Sequence, residues 1–120
     1  MNPSLPVLDP SAIENLRAIN PDDGGEFLRE LIEIFLADTP KHFADIETAL
    51  AARQAPDLTR AAHSIKGSSG NFGATALAAL ARDIEAMGKV ADFAGATQAL
   101  PALRAEFERL TPVLVQLKSA

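Results

Sequence analysis

An all-α fold is what this sequence predicts: an antiparallel up-down four-helix bundle with an additional short N-terminal helix. Three observations lead there. Ala (23 residues) and Leu (15) far outnumber Ile (7) and Val (4), a balance that favours helix over strand. From Phe93 the apolar residues Leu100, Leu103, Phe107, Leu110, Leu114 and Leu117 follow at steps of seven, three, four, three, four and three, the seam a bundle core requires. The connections between the candidate helices are short, which places sequence neighbours antiparallel.

The elements follow in order. Residues 1–8 hold two prolines and no periodicity, and read as a loose arm. Asp9 can cap a helix over about 10–19, with Pro10 in the first turn and Ile13, Leu16 and Ile19 on one face, ending at Asn20-Pro21. Asp22-Asp23-Gly24-Gly25 is a turn that brings negative charge to the next helix start. The second helix, about 24–54, carries Leu28, Leu31, Phe35, Phe43, Ile46 and Leu50 at helical spacing, and Pro40 must kink or split it. Pro56 opens the third helix, which runs to about Asn71, and Gly73 separates it from a fourth, about 74–88, with the stripe Leu77, Leu80, Ile84 and Met87 and a stop at Gly88. The fifth, about 91–117, keeps its phase through Pro101 and Pro112, as one kinked helix would. The 120 residues make a single domain, with the bundle over 24–117.

Composition removes several function classes. Without Cys there is no disulfide scaffold, Cys-ligated zinc or thiol nucleophile, and two His make a His-rich metal site unexpected. A net charge of −5 and the absence of Trp and Tyr argue against a nucleic-acid partner. The first residues lack the basic and long apolar regions of a signal peptide, and no apolar run reaches the ~20 residues a membrane span needs. The expectation is a soluble cytoplasmic protein without a membrane partner.

The third helix holds the informative residues. At about 100° per residue, Leu58, Ala61, Ile65 and Phe72 fall within about 40° of the side opposite His63 and form the buried face. Thr59, Arg60, Lys66, Gly67 and Gly70 lie within about 60° of His63 on the solvent face. An interior helical Gly costs about 1 kcal/mol relative to Ala, so Gly67 and Gly70 mark a face where a side chain would obstruct an approaching partner. Gly70, beside Asn71, is equally well read as fraying of the helix end. No acid occurs between Asp57 and Asp83, only Arg60, Lys66 and Arg82, which reads as a locally basic patch around an exposed imidazole, suited to an acidic or phosphorylated partner.

The run His63-Ser64-Ile65-Lys66-Gly67-Ser68-Ser69-Gly70-Asn71-Phe72-Gly73-Ala74 resembles the H-x-x-K-G signature of histidine-containing phosphotransfer (HPt) domains, the four-helix-bundle relays of multistep two-component phosphorelays. The resemblance extends from Thr39-Pro40 to Ile84-Glu85-Ala86-Met87-Gly88-Lys89. It implies a carrier without catalytic machinery of its own. His63 would be phosphorylated from a receiver-domain aspartyl phosphate and would pass the group to another receiver. Lys66 would neutralise phosphoryl charge and Gly67 would admit the receiver. Glu85, standing where the family often has an amide, would bond the imidazole, and Lys89 matches a basic position that aids docking. Thr59, Arg60, Gly67, Gly70 and Lys89 would make the partner surface. Receiver domains of hybrid histidine kinases and of response regulators would be the partners, Mg²⁺ would come with the receiver, this chain would hold no cofactor or metal, and it would be a monomer.

Other readings stand beside this one. A docking module that binds a receiver without carrying phosphate would use Arg60 and Lys66 only for salt bridges. A histidine-kinase dimerisation fragment usually follows its His with Glu or Asp, whereas Ser64 follows here. His42 reads as a core-edge imidazole, Asp22-Asp23 as capping charge, Ser64 and Ser68 as small helix residues, and Glu26, Glu30 and Glu33 as a solvated face.

Overall fold

In the computed structural model, residues 8–19 and 22–119 are described. Five helices follow one another: α1 (Pro10–Ile19), α2 (Glu26–Ala52), α3 (Ala55–Asn71), α4 (Thr75–Lys89) and α5 (Phe93–Ser119). No strand occurs among the described residues. Helix α2 packs against α3 and α5, α4 packs against the same two, and α1 touches α2. Contacts reverse their order from one helix to the next. Thr59 meets Gly88 while His63 meets Glu85, and Glu33 pairs with Lys118 while Glu47 pairs with Arg104.

The local signals act largely where the residues place them. The Asp9 carboxylate accepts the Ser11 N–H at 2.9 Å and so caps α1. Asp23 receives the Gly25 and Phe27 N–H groups at 2.8 and 2.9 Å. The Phe27 N–H foremost, with those of Gly25 and Glu26 and the Arg29 charge, holds this carboxyl below its ordinary value. Asp23 is therefore a cap, as its position suggested. Gly73 takes φ +67°, and a Cβ there would stand 2.5 Å from that of Asp9. Its carbonyl accepts the Asp9 N–H at 2.9 Å, which ties the start of α1 to the α3–α4 turn.

The core is aliphatic, with Ile32, Ile46, Leu58, Ile65, Leu77, Ile84, Leu103, Leu110 and Leu114 wholly buried. Phe35 packs its ring against Phe72 at 5.2 Å and Phe107 at 5.8 Å, and Phe43 meets Phe107 at 5.5 Å. Such pairs add about 0.5–1.5 kcal/mol each beyond their buried area, and they pin the end of α3 to α2 and α5.

Several expectations are corrected. Pro40 lies inside α2 without splitting it, and it is exposed, as are Pro101 and Pro112 inside the continuous α5. Ile32 is wholly buried while Leu31 sits at the edge, and Ile19 is 58% exposed because α1 lies against the bundle by its first turns only. Leu8 is buried, so the loose arm cannot include it, and residues 1–7 and the predicted stop at Asn20-Pro21 lie outside the described residues. Gly88 does not end α4 but is buried within it.

Candidate functional site

Helix α3 turns Leu58, Ala61, Ile65 and, at its end, Phe72 into the core, which forces His63 outward; its side chain is 63% exposed. The site is completed from α4. Glu85 is 8% exposed, and its Oε2 lies 2.8 Å from His63 Nδ1 while its Oε1 lies 2.8 Å from Lys66 Nζ. Lys89, one turn further along α4, stands 4.0 Å from the same carboxylate.

The charge state of Glu85 sets the histidine's tautomer. The hydrogen bond from Lys66, foremost, and that from His63 hold the Glu85 carboxyl below its ordinary value, against the opposing effect of burial. An ionised carboxylate only accepts, so Nδ1 must donate its N–H. In the neutral ring Nε2 is then the nitrogen with a free lone pair.

The sequence-predicted residues fall into four groups. His63, Lys66, Glu85 and Lys89 come together as one cluster. Gly67 and Gly70 are helical and exposed, and a Cβ on either would meet nothing within 4 Å. Arg60 is exposed beside His63 and pairs with Asp57 at 3.0 Å. Thr59 is half-buried, its Oγ1 bonded to the Ala55 carbonyl at 2.8 Å and its backbone against Gly88. It therefore serves the α3–α4 contact as well as the surface.

The basic patch expected from residues 58–82 is a balanced cluster instead, because Glu85 enters it from another helix and neutralises Lys66. Ser64 and Ser68 bond backbone carbonyls one turn back, at 3.1 and 2.7 Å, as small helix residues do. His42 lines a separate groove of about 360 Å³ between α2 and α3 with Asp45, Arg60 and Ser64. A second depression of about 370 Å³ between α3 and α4 is floored by Pro56, Thr59 and Gly88 beside His63. The role of Gly88 there was missed. Its spacing of three from Glu85, which puts both on one face of a helix, was the available signal.

Comparisons with known proteins identify the family. The Hpt domain family matches residues 30–111, well over half of the chain and the whole of the site. The chain belongs to the Hpt domain family. The crystal structure of histidine-containing phosphotransfer protein B (HptB) from Pseudomonas aeruginosa PAO1 is similar at 27% identity, with a TM-score of 0.87 over 97% of each chain. Among curated proteins no match was found. As an Hpt domain, the protein is a phosphotransfer carrier of two-component signalling, in a family whose members work with receiver domains. No described helix is long and apolar enough to cross a membrane.

Proposed function

We propose that His63 accepts a phosphoryl group from the aspartyl phosphate of one receiver domain and hands it to another. The observation that carries this is an exposed imidazole whose Nδ1 is held by a buried, ionised carboxylate, with Nε2 left as nucleophile. The Nε2 lone pair forms the N–P bond as the P–O bond to the aspartyl carboxylate breaks, returning that carboxylate as an anion. The ring becomes cationic and keeps its Nδ1 proton, which Glu85 holds. Transfer onward reverses these changes, so neutral imidazole is the leaving group. Lys66 can swing from Glu85 to the phosphoryl oxygens, which bring a charge of roughly −2.

In this reading Thr59, Arg60, Gly67, Gly70 and Lys89 form the surface that meets the receiver, and the receiver supplies Mg²⁺ from its own acidic pocket. The partners are receivers of hybrid histidine kinases and of response regulators. The chain works as a single-domain monomer in the cytoplasm, with α2 to α5 as an antiparallel up-down bundle and α1 packed beside it.

The test is incubation with a panel of phosphorylated receivers. Label should appear on the wild-type chain, acid-labile and base-stable, and not on His63→Gln. ATP with Mg²⁺ and no receiver should leave both unlabelled. Label that persists on His63→Gln would place the acceptor elsewhere.

A further inference from the structure

Thr59 and His63 stand one turn apart on α3, and Glu85 and Gly88 stand one turn apart on α4. They meet as two successive rungs of one helix pair, Thr59 against Gly88 and His63 against Glu85. The first rung is the tighter. A Cβ on Gly88 would lie 2.5 Å from Thr59 Oγ1, 3.1 Å from its backbone N and 3.2 Å from its Cα. Backbone atoms of a helix cannot turn aside, and Oγ1 is tied to the Ala55 carbonyl at 2.8 Å. A methyl group at Gly88 would therefore be accommodated by moving the helices apart. Gly67 and Gly70 differ, since a Cβ on either meets open space.

The second rung depends on the first. Glu85 Oε2 is 2.8 Å from His63 Nδ1, and a contact beyond about 3.5 Å no longer counts as a hydrogen bond. Reaching an ordinary separation takes roughly 1 Å at Thr59 Oγ1 and a few tenths at its backbone N and Cα, and the first, passed on to the neighbouring rung, would break the His63 bond. Lys66 reaches Glu85 by a long flexible stem and would keep its bond to Oε1. The carboxylate would then keep its cation and lose its histidine.

We propose that Gly88 is a positioning residue for phosphoryl transfer: its missing side chain lets α4 approach α3 closely enough for Glu85 to hold the Nδ1–H of His63. The consequence for transfer rests on the relay reading above. Without that bond the ring is free to turn and to place its proton on Nε2, which blocks the nucleophile. The transfer rate should fall by about 10- to 100-fold, the scale of a 1 Å misplacement, with receiver affinity changed by less than about threefold.

The experiment compares wild type, Gly88→Ala, Thr59→Ala and the double variant by ¹⁵N NMR of the His63 ring, thermal melting, and transfer from a phosphorylated receiver. Wild type should show the Nδ1–H tautomer. Gly88→Ala should show a shift toward Nε2–H together with the slowed transfer. Removing Oγ1 in the double variant should restore much of the ring pattern, and its transfer rate should approach that of Thr59→Ala, since Thr59 also lies on the receiver surface. A Gly88→Ala protein that folds and keeps the wild-type ring pattern and rate overturns the proposal. So does a folded double variant with no recovery of the ring pattern. If Gly88→Ala alone does not fold, the double variant is judged against Thr59→Ala: a matching tautomer supports the spacing argument and a shifted one refutes it. If no receiver labels the wild type, the relay reading has failed, and the ring pattern alone still decides whether Gly88 sets the helix spacing.

Discussion

Replacing Gly67 should make the fold more stable and the protein a poorer partner. The position lies inside α3, is exposed, and a Cβ built there meets no atom within 4 Å. An added side chain therefore breaks no contact, while the helix gains the intrinsic preference that Gly lacks. Gly67→Ala should add about 1 kcal/mol and Gly67→Gln about half as much. For a chain of this size, 1 kcal/mol moves the melting temperature by about 4 °C. Docking should move the other way. Gly67 lies one helical turn beyond His63, so a receiver that reaches Nε2 must cover it, and a glutamine there stands in the middle of the contact. A loss of tenfold or more in affinity, about 1.4 kcal/mol, is expected for Gly67→Gln, with a smaller loss for alanine. Calorimetric melts beside titrations with a receiver would measure both signs. Unchanged affinity with a raised melting temperature would show that no partner approaches this face closely. A lowered melting temperature would refute the claim that the position is open.

Two further outcomes concern the charges around Glu85. Lys66→Ala should slow transfer by more than it weakens receiver binding, because charge is greatest on the group in flight, and rapid-quench rates beside binding constants would show equal proportional losses if Lys66 only docks the partner. The same variant should lower the melting temperature slightly, since the buried Glu85 carboxylate loses its nearest cation. Because the Glu85 carboxyl is held below its ordinary value of 4.5, the stability it contributes is present above about pH 4.5 and is lost as pH falls through the lower, folded value. Melts over the acid range should therefore fall more steeply for wild type than for Glu85→Gln, and parallel curves would show that the carboxylate is not stabilised by folding.

Much of this was legible in the sequence because helices declare themselves through spacing. The opposition of His63 to Leu58, Ala61 and Ile65 needs only about 100° per residue, and the buried and exposed faces of α3 follow it. What spacing does not supply is register between helices. Glu85 is 22 residues from His63, and nothing in the local pattern places it under the imidazole; the family resemblance pointed there. For the same reason the patch read as basic from residues 58–82, although the neutralising acid comes from the next helix. Where two apolar neighbours compete, as Leu31 and Ile32 do, the pattern admits either, and the packing of α3 and α5 on α2 decides for Ile32. Gly88 was read as punctuation because a glycine near a helix end often is a stop, whereas here it is a contact surface.

The charge balance at the site fits a carrier better than a trap. A group that binds phosphate tightly does so with several unshared cations and backbone donors. Around His63 the near cations are Lys66, Lys89 and Arg60; the two lysines face Glu85, which already claims Lys66, and Arg60 is paired with Asp57. A phosphoryl group of roughly −2 charge would compete with Glu85 for Lys66 and would not meet an empty positive pocket. In the proposed relay phosphohistidine would then be stabilised only modestly, which would serve a relay, because any interaction that favours the phosphorylated histidine over the groups in flight raises the barrier for the next transfer. Glu85 would act in that proposed relay on both directions alike, since a carboxylate that holds the Nδ1 proton lets Nε2 attack as a neutral imidazole and leave as one. The buried Glu85 carboxylate of the proposed relay would thus serve the ring and not the phosphate, leaving Mg²⁺ and further positive charge to the receiver.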